Sequence, residues 1–252
     1  MAKRYELTDE QYEQIKDLLP GKVGDPGRTA EDNHRFINGV MWVLRSSAFW
    51  RDMPERYGNY ETTYKRFSRW AKKGIWEQVF KRLLKDPKNA YVMIDSTLVK
   101  AHQNATTGKK GAMCQALGRS RGGLTTKLHM LCDALGRPLK MHLTGGHCND
   151  CTQAETLLEG QRAQAVIADK GYDSNAIRAF IAKAKMKAVI PSRCHRKQQI
   201  PHDKKLYKQR NRIERLFGTL KQNRRIATRF DRNDSHYMAF LFLACALIWL
   251  TS

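Results

Sequence analysis

The chain has 252 residues, 41% of them hydrophobic, which supplies a real core for one large domain or a small and a medium one and excludes a disordered chain. Lys and Arg number 46 against 24 Asp and Glu, a formal charge of +22. Binding a phosphate backbone would relieve that self-repulsion and release counterions, so nucleic acid fits better than an acidic membrane, with a merely soluble basic surface as the plainer alternative.

The charge climbs along the chain, +5 over 1–88, +7 over 89–191 and +10 over 192–252. Met1-Ala2-Lys3-Arg4-Tyr5 leads straight into polar sequence without the look of a leader, so the six cysteines read as reduced cytosolic thiols. Tyr237 to Leu250 is the one long apolar run. It falls short of the roughly 20 residues that span a bilayer and reads as a buried terminal helix.

Residues 7–19 have helical spacing with Thr8 as N-cap and Gln11 three residues on, stopped by Pro20-Gly21. Further helices follow over 31–46, 60–72 and 76–84. In the third, Tyr60, Tyr64, Phe67 and Trp70 are expected inside, while Lys65, Arg66, Arg69, Lys72 and Lys73 fan outward. That pattern suits a recognition helix of a helix-turn-helix-like DNA-binding domain. It equally suits an amphipathic helix with a solvated basic face. Trp42, Trp50, Trp70 and Trp76 are expected to build the core of this small helical domain, 1–88.

Asp86-Pro87-Lys88-Asn89 marks a boundary, beyond which the helical period gives way to short apolar runs between turn signals. Strands are expected at 90–99, 125–132 and 139–143, the last two forming a hairpin across 133–138. A helix starts at Thr152, a fourth strand covers 165–168, a helix 174–185 and a fifth strand 188–190. One long helix then covers about 204–221. Three strands, helix, strand, helix, strand and final helix is the element order of the ribonuclease H-like fold. The second domain, 89–252, is therefore expected to be α/β, a mixed five-stranded sheet covered by helices.

Asp95 and Asp169 each follow four apolar residues, which places each carboxylate near the carboxyl end of a buried strand, where ligands of α/β sheets gather. On the last helix Tyr207, Arg210, Glu214 and Lys221 fall at offsets −7, −4, 0 and +7 and share one face at about 100° per residue. Arg210 and Glu214 could also be a plain i, i+4 salt bridge. Three carboxylates with no His or Cys form a hard, oxygen-only donor set suited to Mg²⁺ or Mn²⁺. Two such ions about 4 Å apart could activate the attacking oxygen and stabilise the leaving one at phosphorus.

The spacing Tyr-x2-Arg-x3-Glu-x6-Lys, met by Tyr207, Arg210, Glu214 and Lys221, resembles the signature of bacterial insertion-sequence transposases of the Asp-Asp-Glu class. Further marks resemble the insertion sequence 5 family: Asp95-Ser96-Thr97, Gly118-Arg119-Ser120-Arg121-Gly122-Gly123, Asp169-Lys170-Gly171-Tyr172-Asp173-Ser174 and Arg212-Ile213-Glu214-Arg215-Leu216 with Arg224-Arg225. The likeness runs from about Tyr5 to Asp234. It implies Asp95, Asp169 and Glu214 as catalytic metal ligands, with Mg²⁺ or Mn²⁺, two ions, as cofactor. It also implies DNA contacts by Tyr207, Arg210 and Lys221, to which the basic residues Arg215, Arg224, Arg225, Lys65, Arg66 and Arg69 are added. The reaction implied is hydrolytic cleavage at element ends followed by attack of the freed 3′-hydroxyl on target DNA. Its partners would be double-stranded DNA, the element's terminal inverted repeats and the target, held by a homodimer in a synaptic complex. The setting implied is the bacterial cytoplasm and nucleoid, with no membrane.

Two other classes share these residues: a non-catalytic DNA-binding protein derived from a transposase, and a nuclease of the same fold that cuts without joining. Asp150, Glu155 and Asp173 are rival carboxylates, Asp173 being placed to cap the helix at 174. Cys148 and Cys151 are half of a zinc pattern whose second pair is missing. His102 and His129 read as structural or DNA-facing. Lys109, Lys110 and Arg119 to Gly123 read as a basic, glycine-bearing loop, either solvated or near phosphates.

Overall fold

The computed structural model describes residues 5–27, 29–84, 90–106 and 115–251. The boundary expected at Asp86-Pro87-Lys88-Asn89 and the lysines Lys109 and Lys110 lie outside them. Two compact units emerge: Met1–Lys85 with His102–Thr107 and Leu220–Ser252, and Asp86–Ala101 with Gly108–Thr219. This grouping differs from a division at 88/89 chiefly in giving the C-terminal segment to the first unit.

The first unit is helical: α1 (Asp9–Glu13), α2 (Asn33–Ser46), α3 (Tyr60–Lys72), α4 (Ile75–Leu83) and, from the end of the chain, α9 (Arg224–Ala227) and α10 (Asp234–Leu250). Instead of one helix over 7–19, α1 stops at Glu13 and a 3₁₀ turn covers Lys16–Leu18. The capping box forms as read, Thr8 Oγ1 accepting from the Gln11 N–H and Gln11 Oε1 from the Thr8 N–H. Helix α10 buries Tyr237, Phe240, Leu241, Leu243, Ala244 and Trp249 on several sides. A helix apolar all round must be enclosed, and Phe67 of α3 and Phe80 of α4 stand against Phe240 and Phe242 of α10 at 4.5 and 5.7 Å. That enclosure is the reason the C-terminal segment groups with the N-terminal helices. No helix among the described residues is long and apolar enough to cross a membrane.

The expected aromatic stripe of α3 is only half inside. Phe67 and Trp70 are buried, but Tyr60 and Tyr64 are exposed, and Thr63 takes an inner place instead. Trp70 and Trp76 are core residues, whereas Trp42 and Trp50 are half-buried.

The second unit is a mixed sheet with helices, the ribonuclease H-like α/β architecture. Its strands are β1 (Tyr91–Ala101), β2 (Gly118–Ser120), β3 (Gly123–Cys132), β4 (Pro138–Gly145), β5 (Ala165–Ile167) and β6 (Lys187–Val189). The order is β2-β3-β1-β5-β6, with β4 also on β3. β1, β3 and β4 are antiparallel, while β5 runs parallel to both β1 and β6. This unit thus contributes six strands to the sheet, one more than the expected five. The basic, glycine-bearing stretch is no loop: residues 119 and 120 pair with 124 and 123 in a tight β2–β3 hairpin, with Gly123 at a φ of +89° that a side chain would resist.

On one face, Val92, Ile94, Leu131 and Val166 pack with Leu157 and Leu158 of α5 (Ala154–Leu158) and Ile177 and Ile181 of α6 (Asn175–Lys183). The expected long final helix is broken into α7 (Lys204–Tyr207), a 3₁₀ turn (Lys208–Arg210) and α8 (Asn211–Lys221). Helix α8 is fastened to the β3–β4 turn by Arg212, whose guanidinium donates to the Ala134 carbonyl.

Candidate active site

The acids are placed by register. In the parallel ladder Met93 pairs with Ile167, the last pair between β1 and β5. Asp95 and Asp169 are each two residues past that pair, Asp95 still within β1 and Asp169 in the turn that follows β5, so the end of one ladder brings both acids to the same region, where the charge of Asp169 is felt at Asp95. Asp95 is not at a strand end, as its sequence context suggested. β1 runs on to Ala101 against β3, and it is the parallel ladder that ends before Asp95. Asp169 lies just beyond β5 and caps a 3₁₀ turn, its Oδ1 accepting from the Gly171 N–H at 2.8 Å.

Glu214 is exposed on α8, on the side opposite Ile213, Leu216, Phe217 and Leu220, which are buried. Arg210 joins it to β1. One guanidinium nitrogen donates to Asp95 Oδ2 at 2.6 Å and the other to Glu214 Oε1. The i, i+4 salt bridge foreseen as the plain alternative is therefore present, but it extends 115 residues back along the chain to the strand acid.

Burial pushes the Asp95 carboxyl up to about 6, helped by the charges of Asp169 and Asp150 and opposed by the Ser96 N–H and Arg210. Among the described residues no three acids stand ready as a metal cage. The donor chemistry nevertheless fits a hard dication: oxygen donors only, with mutual repulsion that a cation relieves. Arg210 supplies positive charge at that spot in this state.

The other candidate residues divide. Tyr207 is half-buried with its ring edge-on to His202 at 5.3 Å. The 3₁₀ turn advances about 120° per residue, so the three steps from Tyr207 to Arg210 make about one full turn and keep Tyr207 on the side of Arg210. Lys221 ends α8, two turns beyond Glu214, half-buried, with burial holding its ammonium below the usual range. Arg215 and Arg224 are exposed. Arg225 is buried, its Nε and Nη2 donating to the two Asp231 oxygens at 3.2 and 3.0 Å and its Nη1 to the Ala48 carbonyl at 3.2 Å. In α3, Arg69 and Lys65 are exposed, Lys65 pairing with Glu61 at 3.1 Å. Arg66 instead lies over the Phe36 and Trp70 rings and donates to Pro20 and Asn33.

Asp173 does not cap α6; Ser174 does, accepting from the Ile177 N–H. Asp173 is buried and takes Arg178 at 2.8 Å, Arg196 at 2.9 Å and the Arg193 N–H at 2.9 Å. Glu155 is exposed on α5. His102 stacks on Phe230 and accepts from the Asn104 N–H, and His129 is buried against His142 at 4.9 Å. Spacing alone missed Lys127 of β3, which reaches Asp150 at 2.9 Å, and Tyr172, whose buried hydroxyl stands beside Ser96. The one available signal was that Tyr172 lies inside the Asp169-Lys170-Gly171-Tyr172 motif.

A strand aspartate bridged by an arginine to a helix glutamate, with a second aspartate just past the neighbouring strand of a ribonuclease H-like sheet, is an oxygen-donor arrangement of the kind that suits phosphodiester chemistry. Residues 87–249 match the family described as "Transposase DDE domain", and residues 7–80 match "Putative transposase of IS4/5 family". The chain belongs to the DDE transposase family. It is 46% identical to "Putative transposase for insertion sequence element IS6501" of Brucella ovis over 50% of this chain and 99% of that one. It is 36% identical to "Putative transposase for insertion sequence element IS402" of Burkholderia cepacia over 53% of this chain and 66% of the relative. Among solved structures it shares its fold with piggyBac transposase in a synaptic complex with hairpin DNA, at a TM-score of 0.50 and 10% identity, over 99% of this chain and 61% of the other.

Proposed function

We propose that this transposase cleaves the ends of its element and joins the freed 3′-hydroxyl to target DNA, with Asp95, Asp169 and Glu214 holding two Mg²⁺ or Mn²⁺ ions. The observation that carries the reading is that Asp95 and Asp169 each follow by two residues the last pair of the β1–β5 ladder, with Arg210 linking Asp95 to Glu214. Bound there, the metals would supply Lewis acidity to the oxygens entering and leaving phosphorus.

The chain's own residues prepare the site. The strands fix the spacing of two acids, and α8 brings the third. Arg210 holds Asp95 and Glu214 while no substrate is present and is the natural donor to a DNA phosphate once those acids take a cation. The net charge of +22 favours duplex DNA as partner. Each chain carries one such acid set while an element has two ends, which supports a homodimer in the synaptic complex.

The test is a purified-protein assay on duplexes ending in the element's inverted repeats, with a second labelled duplex as target. Cleavage and joining that vanish in Asp95→Asn, Asp169→Asn and Glu214→Gln support the reading. Equal activity of these variants would overturn it, and cleavage without any joined product would reassign the chain as a nuclease.

A further inference from the structure

One partly buried polar link leads away from the acids. The Ser96 N–H donates to Asp95 Oδ1 at 2.8 Å, and the Ser96 hydroxyl donates to Asp150 Oδ1 at 2.6 Å. Asp150 begins the 3₁₀ turn Asp150–Gln153 that leads into α5, a turn capped by Asn149. Lys127 of β3 reaches the same Oδ1 at 2.9 Å and also the Cys148 carbonyl at 2.5 Å, so one ammonium clamps both the acid and the loop that carries it. The Lys127 side chain is 13% exposed and that of Asp150 32%.

We propose that Asp150 is a positioning residue of the active site, held by Lys127 and acting on Asp95 through the hydroxyl of Ser96. Neighbouring side chains on a strand point to opposite faces. A fixed Ser96 on one face therefore fixes the peptide that presents Asp95 on the other, and that same peptide N–H orients the Asp95 carboxylate. The link is continuous from Lys127 to Asp95, four groups in three hydrogen-bonded steps. A structural ion pair alone would have no need to end beside a candidate ligand.

Tyr172 extends the pattern to the second acid. It sits three residues after Asp169, and its wholly buried hydroxyl stands beside Ser96. Burial and the charges of Asp150, Asp95 and Asp169 all push its phenol up, opposed by Ser96.

The proposal rests on Asp95 being a metal ligand, and the test separates the two. Full-length parent, Ser96→Ala, Ser96→Thr, Asp150→Asn and Asp95→Asn are compared by electron paramagnetic resonance titration with Mn²⁺ alone, by thermal melting and by rate of end cleavage. Ser96→Ala and Asp150→Asn are expected to bind Mn²⁺ and cleave roughly tenfold more weakly or worse, as outer-sphere losses do, with the melting temperature near that of the parent and with Ser96→Thr restoring both. Parent-like Mn²⁺ binding in Ser96→Ala, while Asp95→Asn loses it, overturns the proposal alone. A loss in Ser96→Ala that tracks a collapsed melting temperature and is not rescued by threonine overturns it too. Parent-like Mn²⁺ binding in Asp95→Asn removes the reading beneath it and the proposal together. Should Asp150→Asn fail to fold, Ser96→Ala, which deletes one hydroxyl, decides.

Discussion

Asp95 and Asp173 are both aspartates of the α/β unit, within reach of arginine, and the fold treats them in opposite ways. Around Asp173, two arginines and a backbone N–H converge on one carboxylate. Burial would raise that carboxyl, but the Arg193 N–H, Arg178 and Arg196 outweigh it and hold it below the usual range. Around Asp95 the ratio is reversed. Burial dominates there, Asp169 and Asp150 add to it, the one arginine is shared with Glu214, and the carboxyl rises to about 6. A carboxylate whose partners outweigh its burial is part of the scaffold, whereas one left raised with a single shared arginine is a candidate for binding a cation.

The largest expected difference is in chemistry. Asp95→Asn or Asp169→Asn should slow end cleavage at least roughly a thousandfold, about 4 kcal/mol on the barrier, while circular dichroism still shows a folded chain. Asp173→Ala should do the reverse, retaining the acids but losing about 2–4 kcal/mol of stability, because it strands two partly buried guanidinium groups. Denaturant melts measure this. Asp173→Ala with parent stability would erase the contrast.

The two acids should also titrate with opposite sign. A folded-state value above the unfolded 3.8 means that the Asp95 proton stabilises the native state at low pH and that this contribution is lost as pH rises to about 6. Metal-free parent should therefore lose about 2–3 kcal/mol relative to Asp95→Asn between pH 4 and 6. The lowered Asp173 contributes stability above its unfolded value, lost as pH falls through its folded one. The gap between parent and Asp173→Ala should close below pH 4. Paired melts across pH 3 to 7 give both slopes.

The smallest effects should lie in α3, and they sharpen the same contrast among cations. Lys65→Ala and Arg69→Ala should each lower the slope of log affinity for DNA against log salt by about 1. Arg66→Ala should leave the slope and lower the melting temperature, since Arg66 is engaged over two rings.

Much of this was legible before any coordinates. Four-residue apolar runs announced the strands that carry Asp95 and Asp169, and the thirteen-residue α3 matches its predicted span. The parts that were hidden are those set by long-range register. Nothing local shows that the β1–β5 ladder ends at Met93, or that Lys127 reaches Asp150. The 3₁₀ turn at Lys208–Arg210 has no proline or glycine to announce it, so the sequence reads as one continuous helix over 204–221. Arg66, Arg225 and Asp173 show the same limit, because charge in a sequence does not tell whether a side chain is spent inside the fold or offered to a ligand.

The central claim is that the under-served acids form a metal site, and a Mn²⁺ titration of parent, Asp169→Asn and Asp173→Asn tests it most directly. Parent and Asp173→Asn should take up the ion while Asp169→Asn binds it far more weakly. Equal uptake by parent and Asp169→Asn, or none by the parent, would contradict the account.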